Sequence, residues 1–328
     1  MLLLAHQDVV PVAAGEETGW THPPFAGVVA DGHVWGRGAL DDKASLVAIL
    51  EAVERLAASG RAPRRAILLA FGHDEEVGGE RGAARIAERL AERGVAPEFV
   101  LDEGMAVLAD GVPGVRGLVA LVGIAEKGSV TLDLEVEAEG GHSSMPPRQT
   151  AIGILAAAVA RLEASPMPAR LAGPARLMLE GLAPEMGFGS RLAVANLWLF
   201  RRPLERRLAA SPAGNALLRT TTAATLVEGG VKENVLPRSA RAAVNFRLLP
   251  GDSIRSVIEH ARRAIADPRV AVKVRGGFAA EASPVAPVET AGFEAIRRSI
   301  AEVFPGAAVA AYGDAIRFYL RLLESTGF

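Results

Sequence analysis

The chain has 328 residues, half of them hydrophobic, a length that suits one large or two medium domains. Its 36 Lys and Arg against 38 Asp and Glu leave a net charge of −2, so the whole-chain balance makes no electrostatic case for nucleic acid or an anionic membrane. Cysteine is absent, which excludes disulfides and thiolate ligands and leaves His, Asp and Glu to hold any metal.

Leu2-Leu3-Leu4-Ala5 is a short apolar run that ends in His6-Gln7-Asp8. It reads as a buried strand, and residues two apart on a strand share a face, so His6 and Asp8 can touch. A ligating His needs a carboxylate or carbonyl on its second ring nitrogen, and Asp8 is placed to supply it. Residues 11–38 are rich in Pro and Gly and read as a loop pinned by Trp20, Phe25 and Trp35; His22 and His33 within it read as structural. Gly36-Arg37-Gly38-Ala39-Leu40-Asp41-Asp42-Lys43 then opens a helix, with Leu46, Val47, Ile49, Leu50, Val53 and Leu56 at helical spacing and Gly60 as its stop. An Asp at a helix start is ordinarily a cap or dipole partner, which accounts for one of Asp41 and Asp42.

Ala66 to Phe71 is a second apolar run, followed by His73-Asp74-Glu75-Glu76-Val77-Gly78-Gly79. Adjacent carboxylates repel unless something positive compensates them, so this is either a solvated acidic turn or part of a metal site. Helical spacing follows from Ala83 to Arg93. Glu98 to Leu101 repeats the pattern and ends in Asp102-Glu103-Gly104. Three apolar strands, each ending in possible ligands and separated by helices, have the rhythm of a parallel sheet, and open sheets of that kind bind ligands beyond their strand ends.

From Lys127 the texture changes. Val130, Leu132, Leu134 and Val136 alternate with polar residues, as in a strand with one wet face. Gly140-Gly141-His142-Ser143 and a helix from Thr150 to Glu163 follow. Residues 164–230 hold helical pieces with little chemistry. Asn234-Val235-Leu236-Pro237 precedes a strand from Ala242 to Leu248 that carries Arg247, then a helix from Ser253 to Ile265 and a strand from Arg269 to Val274. The pattern predicts an antiparallel α+β domain, residues 127–276, inserted in an α/β domain of residues 1–126 plus 277–328 with a mostly parallel sheet flanked by helices. The last stretch predicts a helix from Ala291 to Val303, a weak strand from Ala307 to Ala311 and a terminal helix from Ala315 to Leu323. No apolar run approaches the ~18 residues of a membrane helix, and Met1 to Ala5 is too short for a signal-peptide core; no membrane or nucleic-acid partner and a cytoplasmic location are the expectations.

Taken together, His6-Gln7-Asp8-Val9-Val10-Pro11-Val12, the Gly36 to Lys43 stretch, His73 to Gly79, Leu101 to Gly104, Gly140 to Ser143 and Asn234 to Pro237 resemble the co-catalytic zinc peptidase and amidohydrolase family. That family includes carboxypeptidase S, aminoacylase, glutamate carboxypeptidase and succinyl-diaminopimelate desuccinylase; the wording is closest to the carboxypeptidase S branch, with its fatty-acyl amino acid hydrolases. The resemblance implies a zinc-dependent hydrolase acting on the amide bond of peptides or N-acyl amino acids with a free carboxylate. It implies that His6 and Asp102 bind one zinc, Glu76 the second, and Asp41 bridges both. Glu75 would be the general base and Asp8 would orient His6. His142 and Asn234 would contact substrate, His142 across a homodimer formed by the inserted lid domain, and Arg247 would hold the substrate carboxylate.

Two departures shape the expectation. Relatives carry a helical and strand segment before the first ligand-bearing strand, and a last zinc-binding His near the C-terminus. Here the first His follows directly on the chain start and the last is His260, inside the inserted domain. The chain therefore reads as truncated, holding about one zinc where the family holds two. The alternative to an enzyme is a catalytically impaired homologue that only dimerises or binds.

Overall fold

Leu2, Leu3, Leu4 and Ala5 form a buried strand, as their unbroken apolar character requires: β1 (Leu2–His6) is the centre of a parallel ladder in a computed structural model that describes residues 1–105, 107–312 and 315–316. A hairpin of β2 (Val28–Ala30) and β3 (His33–Trp35) lies within the stretch read as loop. It is only three residues a side, so the Gly and Pro signal hides it. Helix α1 (Lys43–Ala58) buries Ser45, Ile49, Ala52 and Leu56 at helical spacing and packs on β1. Strand β4 (Leu68–Gly72), helix α2 (Ala83–Glu92) and strand β5 (Val100–Leu101) follow, in the sheet order β4-β1-β5 with both pairings parallel. Next come β6 (Gly104–Met105), β7 (Val107–Ala109) and β8 (Leu118–Gly123).

The second unit opens with β9 (Gly128–Glu137) and β10 (Gly141–His142). Thr150 caps α3 (Ala151–Ala164) by accepting a hydrogen bond from the Gly153 amide at 3.1 Å. The stretch without legible chemistry is helical: α4 (Gly173–Leu182), α5 (Phe188–Ala195), α6 (Leu197–Ala209) and α7 (Pro212–Leu218). Then come β11 (Thr221–Gly229), β12 (Val235–Leu236), β13 (Ser239–Leu248), α8 (Ile254–Ile265) and β14 (Val270–Val274). The sheet order is β11-β13-β9-β14, antiparallel throughout. Its core is one face of that sheet, Val130, Leu132, Leu134, Val136, Val244 and Phe246, against Leu155 and Leu162 of α3 and Val257 and Ile265 of α8.

On the opposite face of the sheet, Asp133 pairs with Arg241 and with Arg275, and Lys273 donates to Glu135 at 2.5 Å. Burial alone would push the Asp133 carboxyl up, but the hydrogen bonds and charges of Arg241 and Arg275 hold it below the usual carboxylate range.

The chain then returns through α9 (Ala291–Val303), β15 (Ala308–Tyr312) and β16 (Ala315–Ile316). Strand β15 runs parallel to β8, which also pairs with β7, so the parallel strands fall into separate ladders rather than one sheet. The helix expected from Ala315 to Leu323 is a short strand at its first two residues, where Ala315 and Ile316 pair with Gly104 and Met105; the remainder lies outside the described residues. Two compact units result: Met1–Ile124, Pro184–Gly187 and the residues from Pro287 on form one, and Ala125–Ala183 with Phe188–Ala286 form the other. Residues 277–286 stay with the second unit because Ser129 and Ala280 exchange backbone hydrogen bonds at 2.8 and 2.9 Å.

Candidate active site

The three strands of the first ladder end at one edge, and their carboxylates meet around one imidazole. His6, only 3% exposed, is the last residue of β1. Its Nδ1 lies 3.2 Å from an Asp8 carboxylate oxygen and 3.1 Å from the Asp8 carbonyl, so Asp8 fixes the ring. Its Nε2 faces Asp41 at 3.0 Å, Glu103 at 3.4 Å and Glu75 at 4.0 Å. Asp8 is held in turn by the Glu76 amide, which donates to it at 3.0 Å. Glu75 and Glu76 sit in a single helical turn after β4, and the loop folds back so closely that a Cβ on Gly82 would lie 2.5 Å from Asp74 Oδ1. Asp41 and Asp42, joined by a cis peptide bond, separate in role. Asp41 points its carboxylate at His6, whereas Asp42 is fully buried, precedes α1 and accepts the His6 backbone N–H at 3.4 Å.

Among the described residues, two groups of possible ligand atoms, each gathered within 4.8 Å, share His6: His6 with Asp41 and Glu103, and His6 with Glu75 and Glu76. Asp102 is in neither. Its carboxylate is exposed and accepts a hydrogen bond from the Glu103 amide at 2.9 Å. The member of the Asp102-Glu103 pair that reaches His6 is therefore Glu103, which the sequence reading passed over. The pair itself was the available signal: β5 ends at Leu101, so strand alternation does not say which neighbour points inward.

The electrostatics record a surplus of negative charge. Burial pushes the Glu103 carboxyl up, Asp42 and Asp41 add to that, and it reaches about 8. Partial burial followed by Glu76, Asp41 and Asp8 raises Glu75 against the pull of His6. Burial would lower the His6 imidazole, but Glu103, Asp41 and Glu75 outweigh it and the net shift is upward. Asp8 goes the other way: burial would raise it, yet the Glu76 and Glu75 amides hold it low. One imidazole amid hard oxygen donors, with Glu103 and Glu75 raised by burial and by the charge of neighbouring carboxylates, fits a divalent cation.

A cavity of about 440 Å³ adjoins this cluster. Leu2, Leu4 and His6 alternate onto the sheet face that lines it, with Ala70 and Gly72 beside them, and Ile86, Ala87 and Leu90 of α2 opposite. His6, Glu75 and Asp102 form its polar end, and the distance from Leu2 to His6 along β1 is about 13 Å at ~3.3 Å per residue.

In the second unit, β10 pairs with β12, which sets His142 opposite Val235 and beside Asn234; the Ser143 amide donates to the Asn234 carbonyl at 3.1 Å. His142 is exposed, its Nδ1 2.8 Å from Ser144 Oγ. Arg247 is not gathered with them. It is exposed near the far end of β13, opposite Thr221 and Ser129, about 26 Å along the strand from Ser239 at ~3.3 Å per residue.

The model of peptidase family M20/M25/M40 matches residues 2–322. The chain is 47% identical over 311 residues to the N-fatty-acyl-amino acid synthase/hydrolase PM20D1 of Xenopus tropicalis, covering 94% of this chain and 60% of that protein. It is 43% identical over 312 residues to the probable carboxypeptidase S-like 2 of Dictyostelium discoideum, covering 94% and 59%. The chain thus spans about 60% of the length of the curated relatives it matches. Among solved structures, it is similar to the M20 family metallo-carboxypeptidase Sso-CP2 from Sulfolobus solfataricus, with a TM-score of 0.64 and 18% identity over 98% of this chain and 73% of that one. Human carnosine dipeptidase 1 gives 0.61 and 16% over 99% and 70%. These likenesses show the fold: an α/β unit with an inserted antiparallel unit.

Proposed function

Because the chain belongs to peptidase family M20/M25/M40, we propose that it is a zinc-dependent hydrolase that cleaves the amide bond of N-acyl amino acids, with small carboxylate-bearing peptides as secondary substrates. The observation that carries this reading is the convergence of His6, Asp41, Glu75, Glu76 and Glu103 at the ends of β1, β4 and β5. His6, Asp41 and Glu103 would hold the cation, with Glu76 as a further donor. A bound zinc would supply Lewis acidity at the scissile carbonyl. Asp8 keeps the His6 ring turned so that Nε2 faces the carboxylates. Glu75, with its pKa raised, is suited to take the proton of the attacking water and hand it to the leaving amine nitrogen. Arg247, a guanidinium on an open sheet face, suits the free carboxylate of the substrate, which it would bind in bidentate fashion.

An acyl chain is favoured over a second amino acid by the cavity under α2. Its lining is apolar except at the end beside His6 and Glu75. The span of about 13 Å from Leu2 to His6 along its β1 wall matches roughly ten carbons, given bonds of ~1.5 Å in a zigzag. His142 and Asn234 would reach the substrate from a second copy of the chain, with β11, an exposed edge strand, as the pairing surface. The test is turnover of an N-acyl amino acid series and of dipeptides by the zinc-loaded chain. Activity rising with acyl length up to a limit, and a shorter limit in Ala87→Trp, is expected. Zinc bound without turnover of any substrate would favour the second reading, a dimerising protein without catalysis, which has in its support that both ligand groups draw on the same imidazole.

A further inference from the structure

The exposed apolar residues of the second unit are not scattered evenly. Phe188 and Leu192 stand one turn apart on the outside of α5, and Trp198 and Leu199 open the outer face of α6. Phe188 is 81% exposed and Trp198 83%, far above what aromatic side chains ordinarily leave in water. On α6 the rows at i, i+4 and i+8 place Arg202 and Arg206 directly behind Trp198, with Leu199 and Pro203 alongside. The inward side of the same helix is Leu197, Phe200, Leu204 and Leu208, all partly buried, so the outer Trp and Leu are not its packing face.

Charge singles out the same stretch. Residues 188–219 hold six Arg and one acidic residue, Glu205, in a chain of net charge −2. Glu205 is already engaged, accepting from the Leu171 amide at 2.8 Å and from Arg201 at 3.0 Å. Among the described residues Arg202, Arg206 and Arg207 make no ion pair. The whole-chain balance, which argued against an anionic surface, hides this local excess.

We infer that the outer face of α5 and α6 docks on an anionic lipid surface, with Trp198, Leu199, Phe188 and Leu192 in the acyl boundary and Arg202 and Arg206 at the headgroup phosphates. Basic side chains around aromatic and aliphatic ones, on a helix lying along the protein surface, are what an interfacial helix requires. A second copy of the chain fits poorly: a two-fold contact through this face would bring the same arginines against one another. Single-stranded nucleic acid would use the arginines and the rings but leave Leu192 and Leu199 without purpose. The inference stands apart from the hydrolase reading and is tested without substrate.

The experiment is co-sedimentation of the full chain with vesicles of phosphatidylcholine alone and of phosphatidylcholine with phosphatidylglycerol. Binding to the anionic vesicles only, weakened by salt, is expected. Each arginine near an anionic leaflet contributes roughly fivefold to binding, so Arg202→Ser with Arg206→Ser should weaken it by more than tenfold. Trp198→Ser should also weaken it, and bromine-labelled lipid should quench the part of the tryptophan emission that is missing in Trp198→Phe. All of these positions are exposed, and circular dichroism of each variant should match the wild type. No binding to anionic vesicles, or binding that survives both sets of substitutions, would overturn the inference. So would self-association lost in Trp198→Ser, or preferential binding of an oligonucleotide, since each assigns the face to another occupant.

Discussion

At the scale of single residues, the division of labour between neighbouring carboxylates is the sharpest claim. Glu75 and Glu76 are adjacent, and both belong to one ligand group with His6. If Glu75 is the base, Glu75→Gln should lower kcat by about 10²–10⁴-fold while zinc content is unchanged, because the amide keeps the shape and removes only the proton acceptor. Loss of zinc in that variant would exchange the roles of Glu75 and Glu76. Asp102 and Glu103 make the same kind of pair. Glu103→Gln should weaken zinc binding, measured by calorimetry, by more than the roughly 10–100-fold that losing a ligand's supporting partner costs, whereas Asp102→Asn should stay within about threefold of the wild type. The reverse order would restore Asp102 as the ligand. Legibility at this scale had a clear limit. His6 and Asp8 could be paired from the sequence because the period of β1 sets residues two apart on one face, whereas Asp41, Glu75 and Glu76 stood out through the resemblance of their motifs to the zinc peptidase family. Asp102 and Glu103 follow the last residue of a two-residue strand, so no period reaches them.

At the scale of elements, alternation and helical spacing located β1, β4, β5, β9, β13, β14 and β15 and helices α1, α2, α3, α8 and α9, but not β8, whose Val119 to Val122 are buried, nor the separate helices α4 to α7. They did not locate β11, whose Thr-Thr-Ala-Ala-Thr sequence follows four helices without a strong apolar rhythm and whose exposed edge leaves little to alternate. The hairpin of β2 and β3 was missed for a related reason: Val29 and Val34 are both exposed. The charged face of the second sheet carries a prediction of its own. Asp133 is nearly buried and its carboxyl is held below the ordinary range by Arg241 and Arg275, so the folded state binds its proton more weakly than the unfolded chain does. Its contribution is therefore fully present above the unfolded pKa, near 3.9, and disappears as pH falls through the lower folded value. Asp133→Asn should lower Tm by several degrees at pH 7, with the gap to wild type closing below pH ~4. A gap that persists unchanged in acid would mean that the loss is one of packing.

For the whole molecule, the placement of His142 and Asn234 at the two-stranded β10-β12 ladder and of Arg247 on the four-stranded sheet matters most. If all three serve one substrate, they are drawn from two copies of the chain, and a homodimer should appear by sedimentation at micromolar concentration. His142→Ala and Arg247→Ala should each be inactive alone, yet a mixture that exchanges subunits should recover part of the activity, because one site of each hybrid then has both groups. No recovery in proven hybrids would place both groups in one subunit. The boundary of the inserted unit at Pro287, ten residues beyond where composition suggested, has a non-local origin: Ser129 and Ala280 pair across the length of that unit. The same arrangement bears on how the protein is made. Val119 of β8 finds its partner Ala308 of β15 only after about 190 further residues have left the ribosome, which at ~5–20 residues per second takes roughly 10–40 seconds. Throughout that interval β8, an almost wholly apolar strand, has no parallel neighbour, whereas the inserted unit completes its own sheet once β14 has emerged, before β15 does. Nascent chains of this protein should therefore call on a chaperone during that window, and the call should end when β15 emerges.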